Sequence, residues 1–221
     1  MPFALNYPEV PDVNPTGLYR RNFDVPRSWQ NRRAVLHVGG AESVVLVWCN
    51  GRFVGMGKDS RLPSEFDLTD HITLGANSLA LMVIRWSDAT WIEDQDHWFH
   101  GGIHRSVFVE ARGAVHLADL SLVADFDSET GDGALSYTAR VEGKAQGYSV
   151  RARLETAQGQ LIVELPPADV AQYDPTQGPS EQIVASHRFK GPIAEGSAKV
   201  KRVAPWSAAV SYTHLTLPTK A

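Results

Sequence analysis

A short segment of the chain combines acidic and aromatic side chains in a way that suits the binding of a sugar or a cation. Glu93, Asp94 and Asp96 place three carboxylates within four residues, and Trp91 and Trp98 flank them. Carboxylates accept hydrogen bonds from sugar hydroxyls and bind hard cations through oxygen, and an indole ring offers a flat apolar surface to a pyranose. The same residues also fit a solvated acidic loop whose two tryptophans close one end of a β-sandwich. The residues alone leave both interpretations open.

Other chemical patterns in the sequence are weaker. His97, His100 and His104 could form a metal site, but Gly101-Gly102 lies among them, so ordinary loop histidines are the alternative. A retaining glycosidase needs two carboxyl groups about 5–5.5 Å apart that flank one bond, and neighbouring residues of one loop do not offer opposed faces. The sequence contains no Gly-x-Ser-x-Gly, no His-Glu-x-x-His and no Walker loop. It therefore contains no recognisable catalytic residue, and ligand contact by residues 91–98 stays one of two open interpretations.

The composition of the 221 residues excludes several classes of protein. The net charge is −4, whereas nucleic-acid and anionic membrane surfaces favour a basic face, so neither partner is expected. The chain has no run of about 18 apolar residues, so no membrane span is expected. Cys49 is the single cysteine and can form no intramolecular disulfide; we expect it to be buried in a strand of a cytoplasmic protein.

Short apolar or alternating runs, bounded by Gly, Asn, Asp and Pro, predict a chain built from strands. Residues 43–49 form a nearly continuous apolar run, which indicates a strand buried on both faces. Asn50-Gly51 follows directly and predicts a type I′ hairpin to residues 52–54, because that turn needs positive φ at both central positions. The other predicted strands are residues 18–25, 34–38, 78–86, 106–110, 117–126, 134–141, 148–155 and 161–165.

The pattern of predicted strands and turns changes near residue 113, where we place a boundary between two domains. Residues 1–113 form the first domain, and residues 114–210 have the regular short strands and turns of an immunoglobulin-like sandwich. Residues 169–180, rich in Pro, Gly and Gln, are predicted to be a loop. The predicted fold class is therefore all-β, with two tandem β-sandwiches.

Six ordered motifs within residues 2–112 resemble the sugar-binding domain of bacterial β-galactosidases of glycoside hydrolase family 2. The last of them has a form shared with the related β-glucuronidases and β-mannosidases. Over residues 115–210 the resemblance is looser, and residues 205–207 (PWS) look like the end of the family's immunoglobulin-like second domain. The six motifs are residues 14–19 (NPTGLY), 48–55 (WCNGRFVG), 59–68 (DSRLPSEFDL), 85–88 (RWSD), 93–98 (EDQDHW) and 102–105 (GIHR).

The resemblance implies a jelly-roll domain, an immunoglobulin-like domain and then a TIM barrel that hydrolyses terminal β-D-galactosides such as lactose by a retaining mechanism. A barrel takes ~250 residues and would contain both catalytic glutamates, so this chain is expected to be a non-catalytic part and inactive alone. The resemblance implies that Asp96 contacts the galactose and ligates a sodium ion. It also implies Mg²⁺ sites outside this chain and a homo-oligomeric parent enzyme. The family also uses an asparagine just upstream of a Tyr-Pro pair that precedes the first domain. The resemblance of this chain begins at the proline of that pair, Pro2, so the asparagine is expected to be missing.

Residues 211–221 depart from the family pattern, and we expect them to be foreign to the gene. Three other functions stay open. The chain could be a stand-alone carbohydrate-binding module, the same region of a β-glucuronidase or β-mannosidase, or a pair of domains that mainly holds subunits together. Residues 59–68 and 93–98 favour a β-galactosidase over the sister activities.

Overall fold

A computed structural model describes residues 3–96, 98–172 and 191–203 of the chain. The chain divides into two compact units, Met1–Gly113 and Ala114–Ala221. Several features of the sequence lie outside the described residues. These are Pro2, His97, the motif at 205–207, the tail at 211–221 and positions 173–180 of the predicted loop.

The first unit consists of two antiparallel sheets, a further short strand pair and one short helix. The sheets have the strand orders β1-β7-β4-β5 and β6-β2-β9, and β3 pairs with β8. Helix α1 (Asp88–Ile92) follows β7, and a 3-10 turn (Arg27–Trp29) follows β1. The strands are β1 Thr16–Val25, β2 Arg33–Val38, β3 Ala41–Glu42, β4 Val44–Cys49, β5 Arg52–Gly57, β6 Ser64–Asp67, β7 Gly75–Ile84, β8 Gly102–Ile103 and β9 Val107–Arg112.

The predicted hairpin between β4 and β5 is confirmed. Asn50 and Gly51 have φ angles of 51° and 77°, and Cys49 pairs with Arg52 across the turn. The side chain of Asn50 also ties the turn to neighbouring backbone, because its Oδ1 accepts from the Ser78 amide at 2.9 Å and its Nδ2 donates to the His71 carbonyl at 2.9 Å. The turn residues therefore fix both the reversal of the chain and its contact with the next strand.

The two sheets of the first unit enclose one apolar core, so this unit is a β-sandwich. Val47 and Cys49 of β4 are fully buried, as are Leu36 of β2 and Leu68 directly after β6. On the other face of β4, Trp48 is half-buried, so the predicted burial of both faces is only partly realised. Burial raises the pKa of the Cys49 thiol, which fits the predicted apolar role of this cysteine.

Charged side chains link neighbouring strands on the β6-β2-β9 sheet. Glu65 accepts two hydrogen bonds from the Arg112 guanidinium, at 2.9 and 2.5 Å, and its Oε1 lies 3.2 Å from His37 Nδ1. The hydrogen bonds from Arg112, with a smaller contribution from His37, hold the pKa of Glu65 below its usual range. This carboxylate is partly exposed, so the pair is worth roughly 0–1 kcal/mol.

We expect Glu65 to contribute to the loss of stability in acid. A carboxyl whose pKa is lowered in the folded state stabilises the protein above its unfolded pKa of about 4.3, and that contribution disappears as the pH falls through the folded pKa. In Glu65→Gln, the difference in urea midpoint between pH 7 and pH 3 should therefore be smaller than in the unchanged protein. Glu9→Gln, at an exposed carboxyl, is the control and should leave that difference unchanged. Equal pH dependence of the Glu65→Gln and unchanged proteins would contradict this expectation.

The second unit is also a sandwich of strands. Its larger sheet has the order β10-β11-β17-β16, and the pairs β12-β15 and β13-β14 are its other strands. Tyr137 and Ala139 of β11 are buried with Leu165, which follows β14. The strands are β10 His116–Phe126, β11 Gly133–Glu142, β12 Ser149–Val150, β13 Arg153–Glu155, β14 Leu161–Glu164, β15 Ala168–Asp169, β16 Ala171–Gln172 and β17 Pro192–Val200.

The prediction of an all-β chain with two sandwiches is confirmed, while some element bounds were wrong. The single strand predicted over residues 148–155 is two strands, because β12 pairs with β15 whereas β13 pairs with β14. Residues 169–172, predicted as loop, take part in β15 and β16, since their backbones find partners in β12 and β17. In the described part of the chain, no helix has the length and apolarity that crossing a membrane requires.

Candidate functional site

Helix α1 places the acidic segment at the end of strand β7. The Ser87 hydroxyl caps the helix by accepting from the Ala89 amide at 3.2 Å, and Thr90 Oγ1 accepts from the Ser87 amide at 3.1 Å. The Ser87 hydroxyl also accepts a hydrogen bond from Ser43 Oγ at 2.8 Å, which fixes the start of the helix to the residue between β3 and β4. A cap of this kind typically stabilises a helix by ~1 kcal/mol. The acidic segment therefore leaves the sandwich from a fixed point.

The chain before β1 packs against the same helix through aromatic rings. Phe3 makes edge-to-face contacts with Trp86 and Trp91, with ring centroids 5.4 and 5.6 Å apart. Trp91 Nε1 donates to the Glu9 carbonyl at 2.9 Å. The Asn14 amide pairs with the Trp86 backbone in both directions, at 2.8 and 2.9 Å. Trp91 is thus a packing residue that helps close this end of the sandwich.

A second loop, between β5 and β6, holds the first carboxylate of the acidic segment. Ser60 donates to Glu93 twice, from its amide to Oε1 at 2.9 Å and from its hydroxyl to Oε2 at 2.5 Å. Asp59 supports this loop because its Oδ1 accepts from the amides of Arg61 and Leu62 at 2.9 and 2.8 Å. Both oxygens of Glu93 are therefore engaged in the fold, and this carboxylate anchors the segment.

The same loop also holds the far end of the acidic segment. Arg61 Nη2 donates to the Trp98 carbonyl at 2.7 Å. His104 Nε2 lies 2.8 Å from the Ser60 carbonyl, and since a carbonyl only accepts, this nitrogen carries the proton. Arg105 Nη1 donates to the Arg61 carbonyl at 2.9 Å. Arg61 thus ties this loop to the far end of the acidic segment, while His104 and Arg105 tie it to the chain that follows β8.

Glu42 is a buried carboxylate beneath this arrangement. Its residue is 3% exposed, and its Oε2 accepts from the amides of His100 and Gly101 at 2.8 and 3.2 Å. Arg61 Nη2 lies 3.7 Å from the same oxygen. Gly101 and Gly102 both have positive φ, 69° and 72°, in the tight turn that follows. A carboxylate is rarely buried without hydrogen-bond partners. The partners of Glu42 are backbone amides at the end of the acidic segment, so Glu42 holds that end.

Asp96 lies between these anchors and is exposed. Within the described parts of the chain its carboxylate accepts no hydrogen bond, unlike that of Glu93. The oxygens of an exposed carboxylate can accept hydrogen bonds from sugar hydroxyls and can coordinate a sodium ion, so the implied sodium ion fits the chemistry of this residue. No three His, Cys, Asp or Glu side chains in the described ranges form a metal-binding group.

The structure separates the residues that the sequence grouped together. Of the three carboxylates, Glu93 is bound to Ser60 and Asp96 is exposed, while Asp94 is half-buried. Of the two tryptophans, Trp91 is half-buried and bonded to the Glu9 carbonyl, whereas Trp98 is 83% exposed. Trp91 and Glu93 fit the interpretation of a loop that closes one end of the sandwich, while ligand contact by the exposed Asp96 and Trp98 stays a prediction.

The alternative metal interpretation of the histidines receives no support from the two that the structure describes. His104 uses Nε2 for the Ser60 carbonyl, and the His100 and His104 ring centroids are 5.5 Å apart. His104 is instead one of the residues that hold the loop.

Sequence reasoning missed the anchoring residues, above all Glu42 and Arg61. A weak signal was available, because Glu42 is a single acid in the largely apolar run 41–49. An isolated carboxylate in a buried strand predicts a specific partner. The Ser87-x-x-Thr90 spacing similarly resembles a capping box and could have located helix α1.

Comparison with known proteins finds a family for the first unit and relatives over most of the chain. Residues 1–112 match the family described as glycosyl hydrolases family 2, sugar binding domain. A β-galactosidase of Psychromonas ingrahamii is 38% identical over 164 residues, which cover 74% of this chain and 16% of that protein. A β-galactosidase of Pectobacterium atrosepticum is 40% identical over 157 residues, 69% of this chain and 15% of that protein. The chain thus spans about a sixth of the length of these relatives.

Among solved structures, a Bifidobacterium dentium β-glucuronidase complexed with coumarin-3-O-glucuronide has a similar fold. Its TM-score is 0.66 at 18% identity, over 88% of this chain and 34% of that chain. This likeness concerns the fold alone. Because the family match covers just over half of the chain and includes every residue of the anchored acidic loop, the chain belongs to glycosyl hydrolase family 2 through its sugar-binding domain.

Proposed function

We propose that this chain is the non-catalytic sugar-binding part of a β-galactosidase that hydrolyses terminal β-D-galactosides such as lactose. In this proposal the first unit contributes one wall of the galactose pocket through Asp96. The single observation that carries the proposal is an exposed carboxylate on a loop whose two ends are hydrogen-bonded to the rest of the fold. Binding groups on loops held by a rigid scaffold are typical of ligand sites.

The charge of the loop favours a neutral sugar over a glucuronide. The exposed Asp96 carboxylate is negatively charged, and a glucuronide carries a carboxylate of its own. Like charges brought together at a binding site reject that ligand, whereas the hydroxyls of galactose donate hydrogen bonds to carboxylates. This argument and the 38–40% identity to β-galactosidases both support the galactoside.

Asp96 would also hold a sodium ion, as one oxygen ligand among several. The bound ion would supply positive charge and oxygen coordination beside the sugar. The chain's own contribution is to present the Asp96 carboxylate, exposed, at a fixed place on the first unit. We assign no residue of this chain to Mg²⁺.

Catalysis in this proposal belongs to a barrel domain of the parent enzyme. Two glutamates there would act as acid/base and nucleophile of a retaining mechanism. Glu93 of this chain is already engaged by Ser60, so we give it no chemical role. The purified 221-residue chain should therefore release no nitrophenol from a nitrophenyl β-galactoside.

A chimeric enzyme tests the proposal. Residues 1–113 of this chain replace the aligned region of the Psychromonas ingrahamii β-galactosidase, and the product is assayed on nitrophenyl β-galactoside, β-glucuronide and β-mannoside. We expect hydrolysis of the galactoside, with kcat/KM for the other two lower by a factor of 100 or more, on the order of 3 kcal/mol of discrimination.

Three outcomes would contradict the proposal. Preference for the glucuronide or the mannoside would assign the chain to a sister activity. Turnover by the isolated chain would show that it contains its own catalytic residues. Calorimetry that detects galactose binding to the isolated chain at millimolar affinity or tighter, lost in Asp96→Ala, would favour a stand-alone binding module.

A further inference from the structure

Glu42 differs from the other acidic residues of the first unit because it is buried and yet bonded mainly to backbone. Its Oε2 receives the amide protons of His100 and Gly101, two consecutive residues at the end of the acidic loop, at 2.8 and 3.2 Å. The second oxygen, Oε1, is buried without a hydrogen-bond partner among the described residues. Strand β3, which contains Glu42, pairs with β8 just beyond this turn.

A buried carboxylate at this position costs the sandwich stability. Its desolvation is compensated only in part by hydrogen bonds, and an apolar residue of similar size would serve the core better. The carboxylate therefore indicates a role in the segment that it binds. That segment is the loop 93–101, in which Ser60 holds the first residue, Glu93, and Glu42 holds the last two.

Arg61, the residue after Ser60, reaches both the acidic loop and Glu42. Its Nη2 lies 2.7 Å from the Trp98 carbonyl and 3.7 Å from Glu42 Oε2. The charge of Glu42 thus acts on the loop in two ways, directly at the amides and through the arginine that holds Trp98. The exposed Asp96 lies between the points so fixed.

We infer that Glu42 is a positioning residue, which sets the place of Asp96 by holding the end of the loop 93–101 from inside the sandwich. This inference rests on the proposed function, because it concerns how the sugar-binding carboxylate is placed. Glu42 itself is buried and meets no sugar. A displacement of about 1 Å in a binding group can lower the rate by ~100-fold, so a residue that fixes this loop affects catalysis at a distance.

Hydrogen exchange on the full 221-residue chain tests the structural part. Glu42→Gln keeps the size of the side chain but removes its charge, which weakens the hydrogen bonds from the loop amides. We expect the amides of His100 and Gly101 to exchange on the order of 10-fold faster, with unchanged protection in β4 and β7. Faster exchange spread evenly over all strands of the first unit, or no change in the loop, would overturn the inference.

Arg61→Ala provides a second variant in case Glu42→Gln does not fold. It removes the contact with the Trp98 carbonyl from a side chain that is 30% exposed, and it should accelerate exchange in the loop 93–101 alone. Unchanged exchange in that loop would count against the inference.

A double-mutant cycle in the chimeric enzyme tests the connection to Asp96. Glu42→Gln should lower kcat/KM for the galactoside about 10-fold when Asp96 is present and have no further effect in Asp96→Asn. An undiminished effect of Glu42→Gln in the absence of Asp96 would overturn the inference. If the chimera hydrolyses none of the three glycosides, the proposed function fails, and hydrogen exchange still decides whether Glu42 holds the loop.

Discussion

Asp96→Asn in the chimeric enzyme is expected to lower kcat/KM for a β-galactoside by roughly 10- to 150-fold, the value of one hydrogen bond to a charged group. Asparagine has almost the same size as aspartate but lacks the negative charge, so contacts with sugar hydroxyls and with sodium both weaken. The side chain is exposed in this chain, so the substitution should leave the melting temperature unchanged. Steady-state kinetics and thermal unfolding of the same preparations measure the two quantities.

Asp24→Asn is the matched control for this substitution. Asp24 is an exposed aspartate of the same unit, on strand β1, outside the loops of the candidate site. Its replacement should leave kcat/KM unchanged. Equal activity of Asp96→Asn and Asp24→Asn would remove Asp96 from the sugar pocket.

The largest effect on stability is expected from Leu36→Ala in the core of the first unit. Leu36 is 0% exposed and lies on β2 between Phe66 and Val109 of the two neighbouring strands. Removing a buried leucine side chain leaves a cavity and typically costs 2–5 kcal/mol, here about 3 kcal/mol. Urea unfolding followed by tryptophan fluorescence measures this cost.

Tryptophan fluorescence suits this measurement because five of the six tryptophans belong to the first unit. They are Trp29, Trp48, Trp86, Trp91 and Trp98. Leu18→Ala is the matched control, since Leu18 is 75% exposed and its truncation should change the free energy of unfolding by less than about 0.5 kcal/mol. Equal losses in the two variants would contradict the assignment of the core.

Features that depend on local chemistry could be predicted from the sequence. Asn50-Gly51 specifies its turn because these two residue types accept positive φ, and the apolar run 43–49 indicated a buried strand. In the second unit, local pattern was insufficient for residues 148–155, because their division depends on which distant strand each half pairs with.

The contacts that hold the candidate site could not be predicted from local sequence either, because they join residues that are far apart in the chain. Glu42 meets His100 across 58 positions of the chain, and Ser60 meets Glu93 across 33. The residues next to Glu42 in the sequence do not indicate which group it binds. Its two partners are backbone amides, which almost every residue type supplies. The motif at residues 59–68 is a sequence pattern whose role the structure explains in part: Ser60 and Arg61 hold the acidic loop, and Asp59 supports the loop that carries them.

The contrast between the fixed ends and the exposed middle of this loop determines which substitutions a lineage can accumulate. A methyl group at Gly102 would lie 2.8 Å from the Tyr19 hydroxyl oxygen, and φ at Gly101 and Gly102 is left-handed, so most replacements there are strained. Gln95, Asp96 and Trp98 are exposed and can change without repacking the sandwich. Substitutions can therefore alter the exposed surface of this loop while the scaffold that holds its ends stays the same.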